Sequence, residues 1–182
     1  MRSAQPASTQ KLQVSAAACS IQGLSRDSNA DHEFVSPNMD LFIVADGVGR
    51  HLAGEMASRF AVEVLSRELA SVSVDAAPLE VKYQVCTALS RANCMIIDTA
   101  TQDPTTHGCG TTVVLALVVG HRLYVAGVGD SRAFLIRDGS IERLTVDNTW
   151  PDQLRKMGHI SDEAARRHCM RSTLLNALGM ES

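Results

Sequence analysis

Residues 41–49 read Leu-Phe-Ile-Val-Ala-Asp-Gly-Val-Gly, and this stretch is the most informative in the chain about its fold. The apolar run 41–45 has the length of a strand, which predicts a strand buried on both faces or nearly so. The run ends at Asp46 and Gly47, so a buried strand delivers a carboxylate into a glycine-rich turn. Taken alone, an Asp-Gly pair is more typical of an ordinary turn than of a functional site.

Two helical patterns follow this strand. Apolar residues recur at helical spacing over residues 52–70 and again over residues 79–101. Pro78 stands just before the second pattern, where a proline near a helix start is tolerated. After Trp150 the chain again favours helix, with Ser161 as a candidate N-cap.

Strand patterns surround these helices. Residues 11–22 alternate weakly and predict an opening strand. A series of β-branched or apolar runs covers 111–119, 123–127, 132–137 and 140–144, and Asp138-Gly139 is a hairpin signal. We expect these runs to form an antiparallel meander. Because strands and helices are segregated along the chain, the pattern predicts an α+β fold.

The composition indicates an ordinary globular domain of 182 residues and 19.6 kDa. With 17 Lys+Arg against 20 Asp+Glu, the net charge is -3, so no basic excess favours nucleic acid as a partner. The five cysteines are odd in number and form no C-x-x-C pair, which favours free thiols in a reducing cytoplasm. We expect Cys86, Cys94 and Cys109 to be small buried hydrophobes.

No targeting or membrane signal is expected. Residues 1–10 are small and polar and lack the apolar core of a signal peptide, so they predict a flexible N-terminus. The longest apolar stretch, residues 113–119, is too short to span a bilayer. The sequence therefore predicts a cytoplasmic protein with no membrane partner.

Three acidic features stand at predicted strand ends or turns: the polar loop 26–31, the turn that carries Asp46, and the junction that carries Asp130. Oxygen ligands of this kind suit hard cations such as Mg²⁺ or Mn²⁺. Each feature has a plain alternative, since Arg26 is typical of a solvated surface residue and Asp130 of a turn or an ion pair with Arg132. Residue chemistry alone indicates a candidate site for a hard metal.

The order of the motifs is more specific, and it resembles the metal-dependent Ser/Thr protein phosphatases of the type 2C class in their compact bacterial form. The resemblance covers about residues 12–179. It rests on four ordered strings: Arg26-x-x-Asn29-x-Asp31, Asp46-Gly47-Val48-Gly49-x-His51, Gly110-Thr111-Thr112 and Gly129-Asp130-Ser131-Arg132.

The resemblance implies an αββα sandwich of two antiparallel sheets flanked by helix pairs, with a dinuclear Mn²⁺ or Mg²⁺ site at one end. It implies that Asp31, Asp46 and the Gly47 carbonyl bind the metal pair and that Asp130 helps to hold a third, weaker metal. A metal-bridging water, acidified to hydroxide, would attack phosphorus in line.

The same resemblance makes Arg26 the group that grips the substrate phosphate through its guanidinium fork. His51 has two interpretations, either a proton donor or water-positioning group, or a loop histidine that only stabilises the turn. The implied substrate is a phosphorylated protein, the target of a Ser/Thr kinase, and the implied state is a monomer.

The sequence also departs from the family pattern. Arg50 replaces a glycine in the metal loop, and Asn148, where a histidine is common, is expected to matter little. The family closes its metal site with two later aspartates, and this chain has neither in the expected context; we interpret Asp147-Asn148 as a loop. Residues 11–182 are therefore predicted to be a single type 2C domain that is C-terminally truncated, with weak metal binding and little turnover.

Three functions are compatible with these observations. The first is a metal-dependent phosphatase that hydrolyses phosphoserine or phosphothreonine, of which this chain is a part. The second is a non-catalytic, phosphatase-like binding or regulatory module that uses Arg26 and the acidic loops. The third is another metal phosphohydrolase whose motif set matches by coincidence.

Overall fold

The computed structural model describes residues 13–24, 28–49 and 52–180. Four predictions fall wholly outside these ranges: the flexible segment 1–10 and the roles of Arg26, Arg50 and His51. None of the helices in the described ranges has the length and apolar character that a bilayer crossing requires.

Seven strands and four helices are seen in the described ranges. In chain order they are β1 Asp31–Val35, β2 Leu41–Val48, α1 Leu52–Leu69, α2 Pro78–Gln102, β3 Gly110–Thr111, β4 Val113–Val119, β5 Arg122–Val128, β6 Phe134–Arg137, β7 Ser140–Arg143, α3 Trp150–Lys156 and α4 Asp162–Arg167. The predicted α+β class with antiparallel sheets is confirmed.

A five-stranded antiparallel sheet forms the centre of the fold. The order β1-β2-β4-β5 runs across it, and the short β3 extends the pairing of β2 beyond β4. α1 packs on β1, β2 and β3, and α2 packs on α1. Alternate residues of β2 (Leu41, Ile43 and Ala45) are buried on the helix side and belong to one core with the buried faces of β4, α1 and α2.

The opposite face of this sheet is less well covered. Strand alternation places Val44 of β2 and Leu123 of β5 there, and each is 52% exposed. In the described ranges the second sheet consists of the hairpin β6–β7. Asp138 and Gly139 have φ of 52° and 73° in its turn, which confirms the predicted hairpin signal.

The two long helices agree with their predicted patterns to within a residue or two at each end. Pro78 occupies the first turn of α2, as predicted. Ser161 is the N-cap of α4, and its hydroxyl accepts a hydrogen bond from the Ala164 N–H at 3.2 Å. Helical periodicity and capping chemistry were therefore sufficient to place these elements.

The predicted opening strand is wrong over the residues that the structure describes. Residues 13–22 form no strand, and the first strand is β1, directly after the polar loop. A strand needs a neighbour that satisfies its backbone N–H and C=O groups, and within the described ranges residues 13–22 have no paired strand. β1 has no clear apolar pattern, because its exposed positions are the charged Asp31 and Glu33.

The predicted continuous meander is also wrong at one junction. β4 pairs with β5, but β5 does not pair with β6. The chain leaves the sheet at Gly129, whose φ of 96° lies in the left-handed region. β6 and β7 therefore form a hairpin of their own.

The cysteine prediction holds for one residue of three. Cys109 is buried, and burial raises the pKa of its thiol. Cys86 and Cys94 are exposed because they lie off the buried stripe of α2, which includes Val85 and Ala92.

Candidate metal site

Two carboxylates face each other at one end of the sheet. β1 and β2 pair with Asp31 directly opposite Asp46, so the two side chains project from the same face a short distance apart. This face is the one opposite the helices, since Ala45, the neighbour of Asp46, is fully buried beneath α1. Both aspartates are exposed, so a solvated cation can reach them.

A pair of glycines fixes the turn that follows Asp46. Gly47 lies against Gly54 in the first turn of α1, and a Cβ on Gly47 would lie 2.2 Å from the Gly54 carbonyl oxygen. The Gly47 N–H donates to the Ala30 carbonyl at 3.1 Å, which ties this turn to the residue before Asp31. The close approach brings strand end, loop and helix start to one place.

Side-chain hydrogen bonds hold the two residues that directly precede β1, Asn29 and Ala30. The Asn29 carboxamide oxygen accepts the Asp31 N–H at 3.1 Å, and its NH₂ group donates to the Ser20 hydroxyl at 2.7 Å. The Ser58 hydroxyl of α1 donates to the Ala30 carbonyl at 2.6 Å. Asp31 therefore stands on a backbone anchored from both sides.

Asp46 is anchored through the Gly110-Thr111-Thr112 segment. Its carbonyl accepts the Thr112 N–H at 2.9 Å and the Thr111 hydroxyl at 3.0 Å. Its own N–H donates to the Thr112 hydroxyl oxygen at 3.3 Å. The backbone at Asp46 is thereby fixed from the β4 side as well as from β1.

Asp130 lies in the turn after β5, at the same end of the sheet. Asn148 holds this turn through two hydrogen bonds to Gly129. Its side-chain oxygen accepts the Gly129 N–H at 3.1 Å, and its backbone N–H donates to the Gly129 carbonyl at 2.8 Å. The expectation that Asn148 matters little is therefore wrong. The Asp147-Asn148 segment is a loop, as interpreted, but its side chains organise the Asp130 turn.

Arg132 pairs with Asp147 at 2.7 Å, and Arg143 contacts the same carboxylate at 2.9 Å. The Asp147 side chain is only 4% exposed. The hydrogen bonds from Arg132 to this carboxylate are the main reason that the pKa of Arg132 is raised. Asp147 is thus committed to two guanidinium groups, and the ion pair considered for Asp130 is made by Asp147 instead.

The structure therefore brings Asp31, Asp46 and Gly47 together and places Asp130 at the same sheet end. Within the described ranges, no group of three or more His, Cys, Asp or Glu side chains is arranged to hold a metal ion. The exposed carboxylate pair fits a hard divalent cation, whose preferred ligands are oxygens. Two carboxylates and a carbonyl would leave the remaining coordination positions of the cation to water or to other ligands.

Sequence reasoning missed the supporting residues of this site, namely Asn29, Thr112, Asn148 and Ser131, whose hydroxyl oxygen lies 2.6 Å from that of Thr112. Three of them lie inside the motif strings that carry the family resemblance, and this was the available signal. Their polar partners are up to 66 residues away along the chain, so no local pattern could assign their roles.

The protein phosphatase 2C family matches residues 17–154 of the chain. Serine/threonine phosphatase stp of Listeria welshimeri is 34% identical to it over 163 residues, which cover 88% of this chain and 65% of the relative. The chain thus spans just under two thirds of that relative's length.

Solved structures agree with this match. The crystal structure of the Mycobacterium tuberculosis serine/threonine phosphatase PstP/Ppp has a TM-score of 0.82 and 34% identity, and the alignment covers 91% of this chain and 68% of that one. The catalytic domain of PstP in complex with two manganese ions has a TM-score of 0.74 and 31% identity, covering 91% and 67%. Fold and sequence agree, and the chain belongs to the protein phosphatase 2C family.

Proposed function

We propose that the protein is a metal-dependent phosphatase that hydrolyses phosphoserine and phosphothreonine, and that this chain supplies one side of its metal centre. The observation that carries the proposal is the cross-strand pair Asp31 and Asp46, exposed and in register in a member of the protein phosphatase 2C family. A similar structure that binds two manganese ions supports the choice of metal.

In this proposal the carboxylates of Asp31 and Asp46 and the carbonyl of Gly47 hold Mn²⁺ or Mg²⁺, and Asp130 contributes to a third, weaker position. The metal supplies Lewis acidity and an acidified water as nucleophile. The sheet holds the two carboxylates at a fixed separation, while the Gly47–Gly54 contact keeps the Gly47 backbone beside them.

Arg26 and His51 complete the proposed machinery. Arg26 binds the phosphoryl oxygens, and His51 donates a proton to the leaving alkoxide or positions water. Both roles rest on the motif positions of these residues. The substrate in this proposal is a protein phosphorylated by a Ser/Thr kinase. We also propose that residues 11–182 form a single domain, which acts as a monomer in the cytoplasm.

A second candidate is a non-catalytic, phosphatase-like module that binds a partner. The observation that favours it is the absence, among the described residues, of a third acidic ligand beside Asp31 and Asp46. The two candidates differ in turnover, since a binding module retains a phosphopeptide without hydrolysing it.

Hydrolysis of a phosphothreonine peptide with and without Mn²⁺ tests the proposal. For the 182-residue chain we expect phosphate release that is slow, requires Mn²⁺, stops on addition of EDTA and is lost in Asp46→Asn. Glu33→Gln is the matched control, because Glu33 is an exposed acidic residue on the same face of β1. Undiminished hydrolysis by folded Asp46→Asn would contradict the proposal, whereas peptide binding without turnover by the wild-type protein would favour the binding module.

A further inference from the structure

Thr112 occupies the row of the sheet that contains both candidate carboxylates. The pairs Val44 with Val114 and Gly47 with Thr111 continue one register, which places Thr112 directly opposite Asp46. Residues opposite each other at such a position exchange two backbone hydrogen bonds. Here the Thr112 N–H donates to the Asp46 carbonyl, as expected for that pattern.

The side chain of Thr112 also takes part in this ladder. Its hydroxyl oxygen accepts the Asp46 N–H at 3.3 Å, while the Thr112 carbonyl accepts the Thr111 hydroxyl at 2.8 Å. A threonine hydroxyl has one hydrogen to donate and two lone pairs to accept with. One lone pair is engaged by Asp46, and the hydroxyl can therefore bond a second group.

That second group is Ser131, the residue next to Asp130. The hydroxyl oxygens of Thr112 and Ser131 lie 2.6 Å apart. Gly129 packs on the methyl group of Thr112, and a Cβ on Gly129 would lie 2.6 Å from the Thr112 Cγ2 atom. Thr112 is only 1% exposed, so it is enclosed between β2 and the Asp130 turn.

We propose that Thr112 is a positioning residue whose hydroxyl sets the Asp130 turn relative to Asp46. It touches neither metal nor substrate and acts through the backbone N–H of Asp46 and the hydroxyl of Ser131. The inference rests on the proposed function in that Asp46 and Asp130 are taken as metal-binding residues. The hydrogen-bonded bridge links the Asp46 backbone to the Asp130 turn, in addition to the bonds that hold Gly129 to Asn148.

Thr112→Val tests the hydroxyl, because valine keeps the shape of threonine and removes its hydrogen-bonding group. In metal-free protein we expect the Asp46 amide to exchange about fivefold faster, the change that follows from loss of one ordinary hydrogen bond. Calorimetric titration with Mn²⁺ should show an affinity about fivefold weaker. Thr112→Ser retains the hydroxyl and should restore both values to within about twofold of wild type.

Thr99→Val is the matched control, since it removes a threonine hydroxyl that donates within α2, to the Met95 carbonyl. Ser131→Ala keeps the test available if Thr112→Val does not fold. It should weaken Mn²⁺ binding while leaving exchange at the Asp46 amide unchanged, because the Thr112–Asp46 bond is retained.

Three results would overturn the inference. The first is unchanged exchange and unchanged Mn²⁺ affinity in folded Thr112→Val. The second is a Thr112→Ser variant that behaves like Thr112→Val, which would assign the effect to the methyl group. The third is a Ser131→Ala variant that binds Mn²⁺ as wild type does.

Failure of wild-type protein to bind Mn²⁺ would instead contradict the proposed metal centre. The comparison of amide exchange rates at Asp46 would still decide the role of the bridge.

Discussion

Asp147 lies outside the candidate metal site but pairs with residues next to it. Its buried carboxylate accepts hydrogen bonds from the guanidinium of Arg132 and is paired with Arg143. Arg132 lies two residues after Asp130, and Asn148, the neighbour of Asp147, holds Gly129. A single buried carboxylate thus links the start of the hairpin to the turn that carries Asp130.

We predict that Asp147→Asn lowers the free energy of unfolding by about 2 kcal/mol, because two guanidinium groups lose a charged partner. The cost stays below that of a fully buried pair, since the side chains of Arg132 and Arg143 are 50% and 31% exposed and water can solvate them. Urea unfolding measures the change.

Asp138→Asn serves as the control, because Asp138 is an exposed turn residue with positive φ, a conformation that asparagine adopts readily. Its stability should equal that of wild type. An Asp147→Asn variant as stable as this control would contradict the role assigned to the buried carboxylate.

At the scale of the elements, the junction between β2 and α1 decides where Asp46 and Gly47 lie. Gly54 lies in the first turn of α1, and an added Cβ there would be 3.0 Å from the Gly47 carbonyl carbon and 3.1 Å from its oxygen. The contact is between backbone atoms of two elements, so no flexible side chain can yield.

We therefore predict that Gly54→Ala destabilises the chain by about 1–2 kcal/mol, the range expected for overpacking. At an ordinary exposed helix position the same substitution would stabilise by about 1 kcal/mol, so the sign of the effect is decisive. Thermal unfolding followed by circular dichroism measures it, and a raised melting temperature would show that α1 does not press on Gly47.

The elements differ in how well the sequence predicts them. α1 and α2 were predicted because their apolar residues recur at helical spacing, and β2 because its apolar run is continuous. β1 was missed because alternate charged residues conceal its partly buried Phe34. The break between β5 and β6 depends on the conformation of Gly129, which a strand pattern does not report.

The candidate site was predicted only in part, because local sequence patterns report some of its residues and not others. Asp31 and Asp46 stand at ends of short motifs, and their register across β1 and β2 brings them together as expected. The roles of Thr112 and Asn148 depend on partners in other strands and loops, which local spacing cannot reveal. The proposed roles of Arg26 and His51 stay predictions from the motifs.

At the scale of the whole molecule, the two faces of the central sheet differ. The face that packs against the helices is part of the buried hydrophobic core, whereas the other face exposes apolar residues such as Val44 and Leu123. Exposed apolar patches of this kind mark surfaces that bind other apolar groups. The candidate metal site lies at the end of this second face, so a group bound on the face would border the candidate site.

We predict that the 182-residue chain binds the dye ANS through this face and that the double variant Val44→Thr with Leu123→Thr binds less. Threonine is β-branched and suits a strand position, so the sheet should remain intact. Fluorescence titration measures the binding. Leu79→Thr is the control, since Leu79 is 79% exposed on α2, away from the sheet face, and dye binding equal in all three proteins would contradict the prediction.

Asp31 and Asp46 are proposed to form a metal site together, and Mn²⁺-induced broadening of amide NMR signals is a direct test of this proposal. Paramagnetic Mn²⁺ broadens the signals of nearby amides, so its position is read without any assay of activity. We predict that the amides of Asp31, Asp46 and Gly47 broaden first in wild-type protein and persist at the same Mn²⁺ concentration in Asp46→Asn. Broadening that begins elsewhere, or that is unchanged in Asp46→Asn, would contradict the account.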